Sequence, residues 1–249
     1  MSDSFVKLCL SSAASGLLIS ISGLAYACSK WVNDLIKRNS LTTELFNILG
    51  SILFSFGLFT ICKFKLHLFT GRIGMVFEKN TLTGENKCTY SMKLILMLII
   101  NIACSIACGI IANVSLQKTH YLKEIQIIVL DKTNFTNLNS YITTFMQSVF
   151  CGTCVNLAVK SYAYNSIFCI FFTASFVYNG FQHCIANAFY FASYYKNFSV
   201  KMLVNECIVI LGNIIGTLPI ALLVNKIQND DSINDSINDS SASSSSYQA

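Results

Sequence analysis

Long apolar stretches, separated by short segments that carry the charges, dominate the sequence. A helix needs about 20 mostly apolar residues to cross a bilayer, and stretches of that order recur along the whole chain. Charged residues make up only 12% of the sequence and hydrophobic residues 53%, which is too little charge to cover the surface of a water-soluble domain. The sequence therefore predicts an all-α membrane protein, with apolar stretches near residues 5–28, 44–62, 66–77, 92–115, 141–159, 166–193 and 203–225.

Polar residues interrupt two long apolar regions, 44–77 and 166–193. A polar side chain in the middle of a membrane segment costs free energy and usually faces a cavity or a pathway. Both regions are therefore expected to be broken helices. The interrupting residues are Lys63, Lys65 and His67 in the first region, and Asn179, Gly180, Gln182 and His183 in the second.

Paired interruptions in two halves of a chain are typical of an inverted repeat with its binding site near the midplane. We therefore expect six transmembrane helices, of which the second and the fifth are broken. The segment LHLFTG in the first half would then face QHCIAN in the second. Four asparagines in the third and last spans are expected to form hydrogen bonds between helices rather than to bind substrate: Asn101, Asn113, Asn205 and Asn213.

Several other classes of protein are disfavoured by the sequence. The net charge is +5, but the basic residues are scattered singly, so no nucleic-acid partner is expected. Most of the 11 cysteines lie in apolar segments and are expected to be free thiols. The CxxC pattern of Cys151 and Cys154 lies within an apolar span, which argues against a redox or metal role. The segment from Phe5 to Ala27 is expected to be a first membrane helix rather than a signal peptide.

Residues 1–228 are expected to form one transmembrane domain, and residues 229–249 a disordered tail rich in Ser, Asn and Asp. The connection 116–140 is expected to be a loop whose lysines Lys118, Lys123 and Lys132 form a rim. Lysine and arginine counts are similar on the two sets of alternating loops, so they do not decide the orientation. Sequons at Asn134 and Asn197 fall in loops on the same predicted side, which would be external if they were glycosylated.

Three motifs, in this order and on the two broken helices and the last span, resemble those of the formate/nitrite transporters. They are LFTG at 68–71, GFQHCIAN at 180–187 and GNIIG at 212–216, and the resemblance extends from about Lys7 to Asn225. Members of that family are aquaporin-shaped pentameric channels for small monovalent anions. The resemblance implies an aquaporin-like protomer, a homopentamer in membrane lipid, and a small anionic substrate such as formate, nitrite, lactate or hydrosulfide. It also implies a multi-pass protein, in the plasma membrane, with both termini cytoplasmic.

By the same resemblance, His183 is the central pore histidine, Thr70 is the threonine of the first break, and Asn187 is the asparagine one turn beyond the histidine. An imidazole with an ordinary pKa of about 6.5 exchanges protons near neutral pH, so His183 is expected to lend a proton to an entering anion. Lys7 matches the lysine at the start of the first helix and is expected to attract anions. The family's apolar constrictions are matched by Phe54 and Leu58 on one side, and by Phe69, Val155 and Phe176 on the other.

Each of these residues also has a structural explanation. His183 would then only hydrogen-bond a neighbouring helix, and Lys7 would be an interfacial lysine whose stem lies along apolar surface. Thr70 and Asn187 would satisfy backbone groups at a broken helix. The apolar residues would be ordinary helix packing.

The sequence departs from the family pattern where acidic residues are common. His67 precedes LFT, and Gln182 stands before the histidine. Both are retained as pore residues, and without the two carboxylates the vestibule should attract anions more strongly. Gly152 stands where many members carry an asparagine, and this difference is expected to open space and to remove a hydrogen-bonding group. Hydrosulfide is therefore a candidate substrate beside formate and lactate.

The function that the sequence predicts is a channel or transporter for small weak-acid anions, linked to protons through His183. The alternative is an aquaporin-like pore for neutral solutes, although the sequence has no NPA motif. An enzyme is not expected, because paired carboxylates and metal-ligand patterns are missing from the apolar spans. Neither a cofactor nor a metal site is expected.

Overall fold

The computed structural model describes residues 3–35, 39–78, 86–116 and 121–227, and the predicted disordered tail lies outside them. Helices make up most of these residues, and no strand occurs among them. The helices are α1 Asp3–Leu35, α2 Ser40–Lys63, α3 Phe69–Arg72, α4 Lys87–Ser115, α5 Tyr121–Lys132, α6 Leu138–Tyr162, α7 Ser166–Tyr178, α8 Cys184–Ser193 and α9 Val200–Gly216. The last helix continues, after a turn at Thr217, to residue 227.

Local sequence signals explain where several helices begin. Asn39 and Asn137 accept hydrogen bonds from backbone N–H groups of α2 and α6, and each forms a capping box with the third helical residue. Asn86 and Asn165 cap α4 and α7 by accepting a hydrogen bond from one backbone N–H group, without a capping box. Asparagine is among the most favourable residues at this position because its oxygen replaces a missing intrahelical acceptor.

Five helices in the described part of the chain are long and apolar enough to cross a membrane, and α7 and α8 are shorter apolar helices. The prediction of an all-α membrane protein is thus confirmed, while the division into six spans stays a prediction. With 24 residues, α2 is long enough to cross a bilayer before the first break. Helix α7 has only 13 residues, so the second break divides one apolar stretch into two short helices.

The two breaks have the same backbone course. After α2, the chain turns through Lys65, whose φ is +53°, and continues extended over 66–68 into α3. After α7, it turns through Gly180, with φ of +69°, and continues extended over 181–183 into α8. Glycine adopts positive φ without the steric cost that a side chain adds. The turn at Gly180 is therefore less strained than the turn at Lys65.

One buried asparagine clamps each break. In the first half, Asn101 of α4 donates to the carbonyls of Ser12 and His67, at 2.6 and 3.2 Å, and accepts from the Phe69 N–H at 2.9 Å. Residues 67 and 69 flank the start of α3. The asparagine thus holds the extended segment against α1.

The second half repeats this arrangement. Asn213 of α9 donates to the carbonyls of Ser148 and Gln182, both at 2.9 Å, and accepts from the Cys184 N–H at 3.1 Å. Each asparagine binds a carbonyl of a neighbouring helix, a carbonyl of the extended segment and a backbone N–H at the start of the following short helix. The neighbouring helix is α1 in the first half and α6 in the second. This correspondence is what an inverted repeat requires, and it confirms the expected hydrogen bonds between helices at both asparagines.

Two glycines allow the helices that carry these asparagines to approach their neighbours. A Cβ atom added at Gly16 of α1 would collide with the Asn101 carbonyl, and one added at Gly152 of α6 would collide with the Asn213 carbonyl. Each glycine lies four residues after the carbonyl that the asparagine binds. The expectation that Gly152 opens space is therefore wrong, because the α9 backbone fills that space.

The connection between α4 and α6, expected to be a loop, contains a helix. Residues 121–132 form α5, which buries Glu124, Ile125, Ile128 and Val129. The expected rim of lysines is replaced by a helix that ends at Lys132, and Lys118 lies outside the described residues. All eleven cysteines are free thiols, as predicted.

Candidate functional site

The two breaks meet at a buried hydrogen bond between side chains. The Nε2 atom of His183 lies 2.9 Å from the Thr70 hydroxyl, and both residues are almost fully buried. His183 is also the N-cap of α8, where its Nδ1 atom accepts from the Ala186 N–H at 3.3 Å. Because Nδ1 accepts, a neutral imidazole carries its proton on Nε2 and donates it to Thr70. The predicted pore histidine and threonine are thus brought together from segments 113 residues apart.

Aromatic rings cover one side of this histidine. The rings of Phe176 and His183 are stacked with centroids 5.9 Å apart, and Phe54 packs edge-on against Phe176, also at 5.9 Å. The structure thus brings Phe176 to Phe54 and to the histidine. The other residues predicted to form constrictions, Leu58, Phe69 and Val155, are buried as well. That they narrow a pathway stays a prediction.

A cavity of about 690 Å³ reaches His183 from one side, and we call it the Lys132 cavity. On its wall, the Gln182 side-chain oxygen accepts two hydrogen bonds, from the Lys132 ammonium at 3.1 Å and from the Asn187 amide at 3.0 Å. The Asn187 amide also donates to the Asn205 side-chain oxygen at 3.1 Å. The predicted residues Gln182, Asn187 and His183 thus share one cavity with a lysine that the sequence analysis had placed in a loop.

Lys132 is half-buried at the end of α5, which is not one of the candidate membrane spans. Burial lowers the pKa of Lys132 to about 8, and the negative charge of Asp131 partly opposes that change. The Asn205 amide fixes the end of the helix by donating to the Lys132 carbonyl at 2.8 Å. The ammonium is therefore held at the cavity wall with a charge that is lost in mildly alkaline solution.

A second cavity, of about 860 Å³, is lined by Lys7, His67, Arg72 and Lys93 among others, and we call it the Lys7 cavity. The His67 backbone N–H donates to the Ser11 hydroxyl at 2.9 Å, and its Nδ1 atom lies 2.7 Å from the same oxygen. Lys7 lines this cavity near the start of α1, while Lys30 near its end lines the other. At 1.5 Å per residue these two lysines are separated by roughly 35 Å, so the cavities open at opposite ends of α1.

The structure places the predicted site residues in the two cavities and in the core between them. Lys7 and His67 lie in the Lys7 cavity, and Thr70 is buried beyond His183 from the Lys132 cavity. The place of Lys132 on the cavity wall was missed because its partner, Gln182, lies 50 residues away in the sequence. The apolar spacing of Ile125, Ile128 and Val129, which indicates a helix ahead of Lys132, was the available signal. No group of three or more potential metal ligands occurs in the part of the chain that the structure describes.

Comparison with known proteins gives the family. A family model described as formate/nitrite transporter matches residues 1–227. The chain belongs to the formate/nitrite transporter family. Membership places it among transporters and channels rather than enzymes, as the sequence analysis predicted.

Solved structures share the fold of this formate/nitrite transporter. One is described as a pentameric formate channel with formate bound; it is 20% identical, has a TM-score of 0.74, and the match covers 90% of this chain and 97% of that one. Another, described as an FNT family ion channel, is 16% identical with a TM-score of 0.70, and 86% of each chain is covered. No match was found among curated proteins. At these identities the structural likeness supports the fold, and the substrate has to be argued from the site.

Proposed function

We propose that this formate/nitrite transporter is a channel for small monovalent weak-acid anions, with formate, nitrite, lactate and hydrosulfide as the candidate substrates, and that transport is linked to protons through His183. The observation that carries the proposal is the buried His183–Thr70 hydrogen bond between two cavities that each contain lysines. A proton on the His183 imidazole would be available at the point where an anion leaves water and enters the apolar part of the protein.

The apolar surroundings of His183 supply the physical reason. An ion that enters an apolar passage loses hydration and pays several kcal/mol unless a partner compensates it. A weak acid avoids this cost when it accepts a proton, because the neutral acid passes the aromatic rings of Phe176 and Phe54. His183 is a titratable side chain that contacts both Thr70 and Phe176, and we therefore assign the proton exchange to it.

Positive charge at both ends of the pathway concentrates anions before this step. Lys132 on one side and Lys7 on the other attract an anion through partly desolvated surroundings, where Coulomb attraction exceeds that in bulk water. Gln182 and Asn187 then offer amide groups near the histidine. No carboxylate competes with the anion at position 182, in contrast to the family pattern.

The assembly is proposed to be a homopentamer with one pore in each protomer, in the plasma membrane and with both termini cytoplasmic. The pentameric relative with the same fold supports this assembly. Apolar side chains exposed on the protomer, such as Ile95, Ile99 and Ile106 of α4, supply surface that lipid or neighbouring protomers would cover.

The direct test is stopped-flow uptake into proteoliposomes, with formate, lactate and hydrosulfide compared from about pH 5 to pH 8, the range over which a histidine titrates. Uptake of at least one anion that rises as the pH falls is expected. Glycerol serves as the neutral control. Glycerol uptake without anion uptake would instead support an aquaporin-like pore and would refute the proposal.

Replacing Lys132 by methionine is expected to raise the half-saturation concentration of the anion about tenfold, because the variant keeps the stem and loses the charge at the cavity wall. Lys123→Met is the matched control, since Lys123 is an exposed lysine on the same helix. Uptake measured against anion concentration distinguishes the two. Equal half-saturation concentrations in both variants would contradict a role for Lys132.

The charge of Lys132 also predicts that anion uptake decreases at alkaline pH, and we call this decrease the alkaline limb of the uptake profile. Lys132 is charged below its pKa of about 8 and neutral above it, so the attraction for anions is present at neutral pH and disappears as the pH rises through that value. The Lys132→Met variant is expected to lack this limb.

A further inference from the structure

Arg72 is a cationic residue on the first break that the proposed transport step does not use. It is the last residue of α3, it is half-buried, and it lines the Lys7 cavity. The Tyr90 hydroxyl lies 3.4 Å from the Arg72 carbonyl, and the Nη2 atom of Arg72 donates to the Lys65 carbonyl at 3.5 Å. The residue is therefore fixed between α4 and the turn of the break.

Most of the hydrogen-bonding capacity of this guanidinium is unused by the protein. A guanidinium has five N–H donors, and the contact with the Lys65 carbonyl takes one of them at a long distance. No ion pair joins Arg72 to a carboxylate in the part of the chain that the structure describes. The acidic residue that follows the same segment, Glu78, is bound instead by the Lys160 ammonium at 2.7 Å.

The wall of the Lys7 cavity carries positive charge. The charged or titratable residues that line it are Lys7, His67, Arg72 and Lys93, and no carboxylate occurs among the described residues on this wall. A lysine ammonium acts as a point charge, whereas a guanidinium presents a planar pair of N–H donors. An anion in this cavity is attracted by several cations, but only Arg72 offers it that planar pair.

The first break holds Arg72 close to the centre of the protein. Arg72 and Thr70 are two residues apart in one short helix, which is about 3 Å along its axis. Asn101 accepts from the Phe69 N–H at 2.9 Å and so fixes the start of this helix. An anion bound at Arg72 would therefore lie next to the segment that carries the partner of His183.

We propose that Arg72 binds both oxygen atoms of formate, nitrite or the carboxylate of lactate, and that it thereby selects these anions over hydrosulfide. A guanidinium and a carboxylate form two parallel N–H···O hydrogen bonds. Hydrosulfide has a single sulfur atom, so it gains only the charge attraction that the lysines also supply. The inference rests on the proposed function, because it names which of the candidate substrates the Lys7 cavity prefers.

The first test measures binding at Arg72 without transport. Phenylglyoxal modifies guanidinium groups, and mass spectrometry gives its rate at each arginine of the purified wild-type protein. Formate is expected to slow the modification of Arg72 about threefold compared with chloride, a spherical anion, at the same ionic strength. Arg38 is the only other arginine in the sequence and serves as the control, with equal rates expected in both salts. Equal rates at Arg72 would overturn the proposal.

The second test measures selection in proteoliposomes. Exchange of labelled formate is followed at equal concentrations inside and outside, far below half-saturation, so that the orientation of the protein does not matter. Nitrite and hydrosulfide are added as unlabelled competitors. Arg72→Lys keeps the charge and loses the planar pair of donors, so we expect it to need about fivefold more nitrite to halve the exchange, and an unchanged amount of hydrosulfide.

Arg38→Lys is the matched control, and both competitors are expected to act on it as on the wild type. An equal change for both competitors in Arg72→Lys, or no change for either, would overturn selection by Arg72. Protection of Arg72 by formate in a wild type that exchanges no anion would refute the proposed function and support the binding site. Exchange without protection would refute the binding site and support the proposed function.

Discussion

Replacing His183 by asparagine is expected to lower formate uptake at about pH 6 by roughly a hundredfold or more. Asparagine is a favourable N-cap, so it keeps the hydrogen bond to the Ala186 N–H and the start of α8, but it cannot donate a proton to the anion. The anion then has to cross the aromatic rings as an ion. A hundredfold decrease corresponds to about 2.7 kcal/mol of added barrier, which is less than the cost of burying a bare charge.

Stopped-flow uptake in proteoliposomes checks this expectation, with the wild type and the variant reconstituted at equal density. The elution volume in detergent and the thermal unfolding temperature show whether the variant still folds and assembles. A folded variant that retains the rate and the pH dependence of the wild type would rule out a proton relay at His183, and the apolar passage would then need another explanation.

Replacing either clamp asparagine by leucine is expected to be the most destabilising change in the protein. Asn213→Leu removes the partners of two carbonyls and one N–H group, and Asn101→Leu does the same in the first half. Each unpaired buried group costs about 1–3 kcal/mol, and the effect in membrane proteins is at the low end, so we expect a loss of about 3–5 kcal/mol for each variant. For a chain of this size that is a decrease of about 10 °C in the unfolding temperature.

Thermal unfolding in detergent measures both variants, with Asn113→Leu as the matched control. Asn113 is also buried between helices, but its amide donates to a single carbonyl, that of Ser193, at 2.7 Å. The control is therefore expected to lose about a third as much stability. If the two clamp variants differed widely from each other, the two breaks would not be equivalent parts of a repeat.

The breaks and the central residues were predictable from the sequence because their signals are local. Polar residues inside an apolar stretch are visible without knowledge of the fold, and His183 and Thr70 lie in short motifs on the two breaks. The asparagine clamps were predicted as hydrogen bonds between helices, but their backbone partners were not, since Ser12 and Ser148 carry no signal that their carbonyls are needed.

The features that could not be predicted from the sequence depend on contacts between residues that are far apart in it. Lys132 was predicted to lie in a loop, because its contact with Gln182 depends on how α5 lies against the second break. Gly152 was interpreted from its missing side chain alone, and the packing of the α9 backbone against it is a property of two helices rather than of one position.

The two close contacts at Gly16 and Gly152 bear on how such a channel opens and closes. In each half, two membrane helices touch backbone to backbone, and an asparagine bonds across the same contact, so sliding one helix past the other would break several bonds at once. Packed interfaces of this kind resist small displacements. We therefore expect gating by rotation of side chains such as Phe54 and Phe176 within a fixed scaffold, and not by the rocking of one half against the other.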